Sequence, residues 1–81
     1  MTIEISPGIT STPGVVGGEP CLAGTRIPPW VIRSRFVAGE SIAEIVEDMQ
    51  VSIAQVETAL LYEGWLRHRA AAKRKLREAG L

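Results

Sequence analysis

The residue types best suited to contacting DNA bases lie in a short stretch that begins at Ser52. A glutamine such as Gln55 can pair with adenine, and a threonine such as Thr58 can contact a thymine methyl group. Phosphate contacts dominate the affinity of proteins for DNA, yet no Lys or Arg occurs between Arg35 and Arg67. The cationic contacts would therefore come from flanking elements. The candidate DNA-binding residues are Arg26, Arg33, Arg35, Ser52, Gln55 and Thr58.

Two capping boxes predict the helices that would position these residues. Ser41 with Glu44, and Ser52 with Gln55, can each satisfy the unpaired amides at the start of a helix. Two short helices joined by a tight turn form a helix-turn-helix, and its second helix places its early residues in the major groove when it binds DNA. The first of these helices carries apolar residues at the offsets of a buried stripe: Ile42, Ile45, Val46 and Met49.

A second candidate surface lies on the helix that begins at Ser52. We expect this helix to continue with no strong stop until Gly80, since Gly64 weakens it by only about 1 kcal/mol relative to alanine. Its far side, opposite the packed residues, carries Leu61, Tyr62 and Trp65 on a helical wheel. Exposed apolar patches often mark interaction sites. The alternative is that the N-terminal hairpin folds over these side chains.

Charge is distributed unevenly along the 81 residues, whose net charge is zero. Before Trp65, three arginines face eight acidic residues, which gives −5; from Trp65 onward, six basic residues face Glu78 alone, which gives +5. An acidic partner, nucleic acid or protein, would suit this tail. A solvated helix face or a head-to-tail contact between protomers would also account for it. The candidate partner-binding residues are Leu61, Tyr62, Trp65, Arg67, Arg69, Lys73 and Arg74.

The N-terminal part of the chain is rich in turn signals. We expect residues 1–18 to form a loosely ordered arm with one short strand at Ile3-Glu4-Ile5, followed by a small hairpin or tight loop. A first helix should run from about Pro29 to Ala38 and end on Gly39. The fold class is mainly α. The chain divides into the arm (1–18), a three-helix helix-turn-helix domain (19–64) and a basic helical tail (65–81).

Other function classes find little support in the sequence. No apolar run approaches the roughly 18 residues of a membrane-spanning helix, and the N-terminus lacks the plan of a signal peptide. Cys21 is the single cysteine, so no internal disulfide can form, which suits the cytoplasm. Cys21 and His68 are too far apart to predict a metal site, and no base accompanies a nucleophile in a recognisable arrangement. We expect neither enzymatic activity nor a bound cofactor.

One stretch carries a family resemblance, the run from Gly17 to Pro28 with the sequence GGEPCLAGTRIP. Together with the segments 38–41, 45–48 and 56–60, it resembles the bacterial domain-of-unknown-function family 433, from about Ile3 to Glu63. The resemblance implies a VapB-type antitoxin of a type II toxin–antitoxin pair, whose partner is a PIN-like ribonuclease toxin. It also implies a small homeodomain-like helix-turn-helix with a short β element at its N-terminus.

Within that run, Gly24 should adopt a backbone conformation that other residues avoid. Thr25 and Arg26 should hold the loop, Arg26 through an ion pair with Glu47 or Asp48. The turn between the last two helices is shorter than the family's usual turn and nearer to a DNA-binding type. The basic tail extends past the resemblance.

The leading hypothesis is an antitoxin that holds an acidic nuclease toxin with its apolar patch and basic tail. It would form a homodimer or a larger assembly, and its helix-turn-helix could also regulate its own operon. Two alternatives remain: a stand-alone DNA-binding transcription regulator, and a self-assembling structural module.

Overall fold

A computed structural model of the chain describes residues 1–66. A small antiparallel sheet precedes three helices, with one 3-10 turn at Val16–Gly18 between the second and third strands. The elements are β1 (Ile3–Ser6), β2 (Ile9–Ser11), β3 (Cys21–Leu22), α1 (Pro29–Val37), α2 (Ile42–Met49) and α3 (Ile53–Tyr62). None of the helices in this part of the chain has the length and apolar composition that crossing a membrane requires.

Helices α2 and α3 are joined by a short turn, and both predicted capping boxes are present. At α2, the Glu44 amide donates to Ser41 Oγ at 3.1 Å, and the Ser41 amide donates to Glu44 Oε1 at 3.0 Å. At α3, the Ser52 amide donates to Gln55 Oε1 at 2.7 Å, and the Gln55 amide donates to Ser52 Oγ at 3.0 Å. The backbone amide of Ser41 is the main reason why the pKa of Glu44 is lowered. Between the helices, Gln50 turns the chain with a φ of 54°.

The third helix does not continue into the tail. Gly64 has a φ of 79°, and the Trp65 amide donates to Leu60 O at 2.8 Å while the Gly64 amide donates to Leu61 O at 3.1 Å. These two bonds form a Schellman motif, which ends a helix at a left-handed glycine. The prediction of one helix that passes through Gly64 is therefore wrong. Whether residues 67–81 are helical lies outside the described residues.

The first helix agrees with its prediction. It begins with Pro29 in its first turn and is followed by Ala38 and by Gly39, whose φ is 102°. A Schellman motif ends this helix as well: the Glu40 amide donates to Arg35 O and the Gly39 amide donates to Phe36 O, both at 3.1 Å. A proline at the start and a left-handed glycine just past the end are the usual limits of a short helix.

The N-terminal residues form part of the folded domain, which corrects the expectation of a loosely ordered arm. Strand β1 pairs with β2, and β2 pairs with β3, all antiparallel. Ile9 of β2 is completely buried and lies opposite Leu22 of β3, which is 1% exposed. The sheet packs on α3 through β2 and β3. The core therefore joins both layers: Ile9, Leu22, Ile32, Ile42, Ile45, Val51, Val56, Ala59, Leu60 and Leu66.

The turn between β1 and β2 approaches α3 closely at Gly8. This residue has a φ of 77°, and a Cβ atom placed there would lie 2.9 Å from Cγ2 of Thr58. Gly8→Ala should therefore lower the free energy of unfolding by about 1–2 kcal/mol, through backbone strain and through this contact. Urea denaturation measures the loss. In a Thr58→Ser background, which lacks the Cγ2 methyl group, the loss should be smaller; an equal loss would mean that the contact contributes nothing.

Candidate functional site

The predicted base-reading residues at the start of α3 lie beside the sheet. The Gln55 side chain accepts the Ser52 amide in the capping box, and the Thr58 hydroxyl donates to Ala54 O at 2.8 Å. Both residues line a shallow depression whose other wall comes from the β1–β2 turn, β3 and the loop after β3: Gly8, Leu22 and Ala23. Gln55 and Thr58 are half-buried. This face of α3 is thus partly covered by its own domain.

Two of the three predicted phosphate contacts are engaged with carboxylates. Arg33 Nη1 lies 3.3 Å from Glu63 Oε1. Arg35 donates from Nε and Nη2 to both oxygens of Glu40, at 2.7–3.0 Å, and its Nη2 also lies 2.6 Å from Asp48 Oδ2. Hydrogen bonds to Glu40 and then to Asp48 raise the pKa of the Arg35 guanidinium. This triad ties the end of α1 to α2.

The loop after β3 agrees with its prediction in part. Gly24 has a φ of 74°, and the Thr25 hydroxyl donates to Leu22 O at 2.8 Å while it accepts the Ile27 amide at 3.0 Å. Arg26, in contrast, is exposed and makes no ion pair within residues 1–66. Its expected bond to Glu47 or Asp48 is absent from this part of the chain, because Asp48 pairs with Arg35 instead.

The three residues of the predicted apolar patch do not share one surface. Leu61 is half-buried against the core. Leu61 and Tyr62 line a small depression beside the β1–β2 turn with Ser6, Pro7 and Thr58. Trp65 lines a different depression, formed with α1 by Arg33, Ser34, Val37 and Ala38. The turn at Gly64 is what redirects the chain, so a straight helical wheel placed Trp65 on the wrong side.

The outer face of α1 carries an apolar surface that the sequence reasoning missed. Trp30 is 46% exposed and Val37 is 54% exposed, and the two lie two turns apart on the same side of the helix. Trp65, at 50% exposed, lies beside Val37. The indole N–H of Trp30 donates to Glu19 Oε1 at 2.6 Å. We call this the tryptophan surface, composed of Trp30, Arg33, Ser34, Val37, Ala38 and Trp65.

The helical spacing of α1 could have revealed this surface. Its inner side is provided by Pro29 and Ile32, which are buried. Trp30 and Val37 occupy the i and i+7 positions of the opposite side, where charged residues normally dominate on an amphipathic helix. Apolar residues on both sides of a short surface helix indicate a second packing surface.

Comparison with known families decides where this chain belongs. The model of the family described as "Protein of unknown function (DUF433)" matches residues 9–62. The chain belongs to the DUF433 family. The resemblance carried by residues 17–28 is thereby confirmed. Comparisons with curated proteins and with solved structures give no significant match.

The DUF433 match covers the domain from β2 to the end of α3. Strand β1 and the basic tail, which begins with Trp65, lie beyond it. The tryptophan surface therefore combines α1, which lies inside the match, with one residue outside it. Four predicted partner-binding residues, Arg67, Arg69, Lys73 and Arg74, lie outside the described residues as well.

The two charge signs of this DUF433 protein separate between Glu63 and Arg67, just past the end of the match. Residues 1–66 contain three arginines and eight acidic residues, which gives −5, and residues 67–81 contain six basic residues and one acidic residue, which gives +5. Within residues 1–66, no group of His, Cys, Asp or Glu side chains is arranged to hold a metal ion. Cys21 is buried, and its burial, followed by the charge of Glu19, raises the pKa of the thiol.

Proposed function

We propose that this DUF433 protein is the antitoxin of a cytoplasmic type II toxin–antitoxin pair and neutralises a PIN-like ribonuclease by direct binding. One observation carries the proposal: the tryptophan surface is exposed and includes Trp65, the residue at which the basic tail begins. Large aromatic side chains dominate the binding energy of protein interfaces. Three large apolar side chains exposed near one helix of a small domain, Trp30, Val37 and Trp65, favour a protein partner.

Binding to a protein accounts for the described residues better than the reading of DNA bases by α3. The start of α3 is partly covered by Gly8 and Ala23, whereas a recognition helix must enter the major groove. Arg33 and Arg35 are held by carboxylates. The net charge of −5 on residues 1–66 opposes contact with phosphates. We therefore assign α3 a packing role and leave the regulation of an operon out of the proposal.

The division of work between the two surfaces follows from their chemistry. The tryptophan surface would supply apolar binding energy. PIN-like nucleases gather carboxylates that hold a divalent metal ion, and an arginine or lysine of a partner can bind such carboxylates in place of metal and substrate phosphate. Arg67, Arg69, Lys73 and Arg74 are the candidates for this role. Binding and inhibition would then depend on different residues.

A titration of nuclease activity tests the proposal. The proposal requires a PIN-like nuclease encoded beside this gene, and that nuclease is assayed on RNA with increasing amounts of the full chain. We expect inhibition that is complete at an equimolar ratio. Replacement of Arg67, Arg69, Lys73 and Arg74 by glutamine should abolish most of the inhibition, while Arg26→Gln, a change of the same type at an exposed arginine, should leave it intact.

Two results would contradict the proposal. The first is the absence of any complex between the full chain and the neighbouring nuclease. The second is sequence-specific DNA binding that Gln55→Ala and Thr58→Ala abolish, because this would favour the transcription regulator instead.

A further inference from the structure

A cavity on the outer side of the sheet has no part in the proposed function. Its volume is about 530 Å³, which lies within the range of small-molecule sites. One wall is the loop 23–26, which belongs to the run of residues that carries the family resemblance. The lining includes Thr2, Thr10, Thr12, Gly24, Thr25 and Arg26.

The donors around this cavity are unusually free. Arg26 is exposed and makes no ion pair or side-chain hydrogen bond within residues 1–66, unlike Arg33 and Arg35. The backbone N–H groups of Gly24 and Arg26 also find no acceptor in that part of the chain. The hydroxyls of Thr2 and Thr12 bond to each other at 2.9 Å, and one of the two keeps its own proton available for a further acceptor.

We infer that this cavity binds an oxyanion, of the phosphate or carboxylate type, through the guanidinium of Arg26. A guanidinium presents parallel N–H donors that match the two oxygens of either group. Threonine hydroxyls and unpaired backbone amides supply the neutral donors that such a ligand accepts. Together, the guanidinium, the hydroxyls and the backbone amides recognise a ligand that has acceptor oxygens and a negative charge.

One carboxylate opposes the ligand. Glu4 lies opposite Thr10 in the β1–β2 pairing, so the two side chains share the outer face of the sheet. Glu4 is exposed and does not line the cavity. Its negative charge should lower the affinity of the cavity for an oxyanion without blocking access to it. Glu4→Gln should therefore raise the affinity, whereas Arg26→Gln should lower it.

Residue-resolved NMR titration of the full chain tests the inference, with inorganic phosphate in one series and acetate in the other. We expect saturable amide shifts at Thr10, Gly24, Thr25 and Arg26, with a dissociation constant in the millimolar range. Arg26→Gln should weaken binding about tenfold, since it removes a charge-assisted hydrogen bond. Glu4→Gln should strengthen it about twofold. The series that saturates first identifies the preferred oxyanion.

Two controls locate the binding. Arg33→Gln, a matched change on the tryptophan surface, should leave the affinity unchanged. The basic tail also attracts anions, so a second control removes its charges. Replacement of Arg67, Arg69, Lys73 and Arg74 by glutamine should preserve the shifts at loop 23–26. Shifts that do not saturate, that survive Arg26→Gln, or that vanish with the tail replacement would overturn the inference. None of these results bears on the nuclease assay.

Discussion

Ile9→Ala is expected to lower the free energy of unfolding by about 2–4 kcal/mol. Ile9 is fully buried, and it lies where β2 meets β3 and α3. Truncation removes apolar contacts and leaves a cavity between the sheet and α3, which these elements cannot fill by moving together. In a domain this small, the loss is a large fraction of the total stability. Urea denaturation of the two proteins measures the difference.

Ile3→Ala provides the matched control. This isoleucine lies on β1 of the same sheet and is 55% exposed, so its truncation should cost less than about 1 kcal/mol. Equal losses at the two positions would mean that burial does not set the cost. A negligible loss at Ile9 would show that the N-terminal residues are an arm after all, and that the helices alone form the stable domain.

The helices could be predicted because their signals are local. Each capping box spans four residues of the chain, and a left-handed glycine follows the end of α1. The sheet could not be predicted in the same way. Strand β2 is three residues long and follows Pro7 and Gly8, so it looks like a turn until β3 and α3 pack against it. Burial of Ile9 depends on residues far along the chain.

The error at Gly64 has a different origin. The helix propensity of glycine, about 1 kcal/mol less favourable than that of alanine, describes a residue inside a helix that continues past it. In the structure, two backbone hydrogen bonds and a φ of 79° make it a terminus. The wheel that grouped Tyr62 with Trp65 assumed an unbroken helix, so it failed one residue past the break.

For the candidate DNA-binding site, the sequence predicted which residues belong to it but not which other residues they contact. Arg33 and Arg35 were expected to contact phosphate. The fold instead brings Glu63 to Arg33 and Asp48 to Arg35, and Arg35 also pairs with Glu40, which is close to it in the chain. Arg26 shows the reverse: it was expected to pair with Glu47 or Asp48, and within residues 1–66 it pairs with neither. Pairing between charges that are distant in the chain is a tertiary property that spacing alone does not reveal.

Trp65→Ala should weaken the proposed complex with a PIN-like nuclease about thirtyfold or more, the equivalent of about 2 kcal/mol. Trp65 presents half of its side chain on the tryptophan surface, where an aromatic anchor can be fully desolvated by a partner. Trp30→Ala should have an effect of similar size. Isothermal titration calorimetry with the full chain measures both, and urea denaturation of each variant separates lost affinity from lost stability.

Tyr62→Ala separates the tryptophan surface from the patch expected on a straight helix. Tyr62 is 40% exposed, comparable to Trp65, but it lies beside Ser6 and Pro7 rather than beside α1. If the partner docks on α1, Tyr62→Ala should change the affinity less than threefold, about 0.6 kcal/mol. A loss at Tyr62 equal to the loss at Trp65 would place the partner across the end of α3 instead. Unchanged affinity in both tryptophan variants would remove the tryptophan surface from the interface, because no other feature of α1 accounts for binding there.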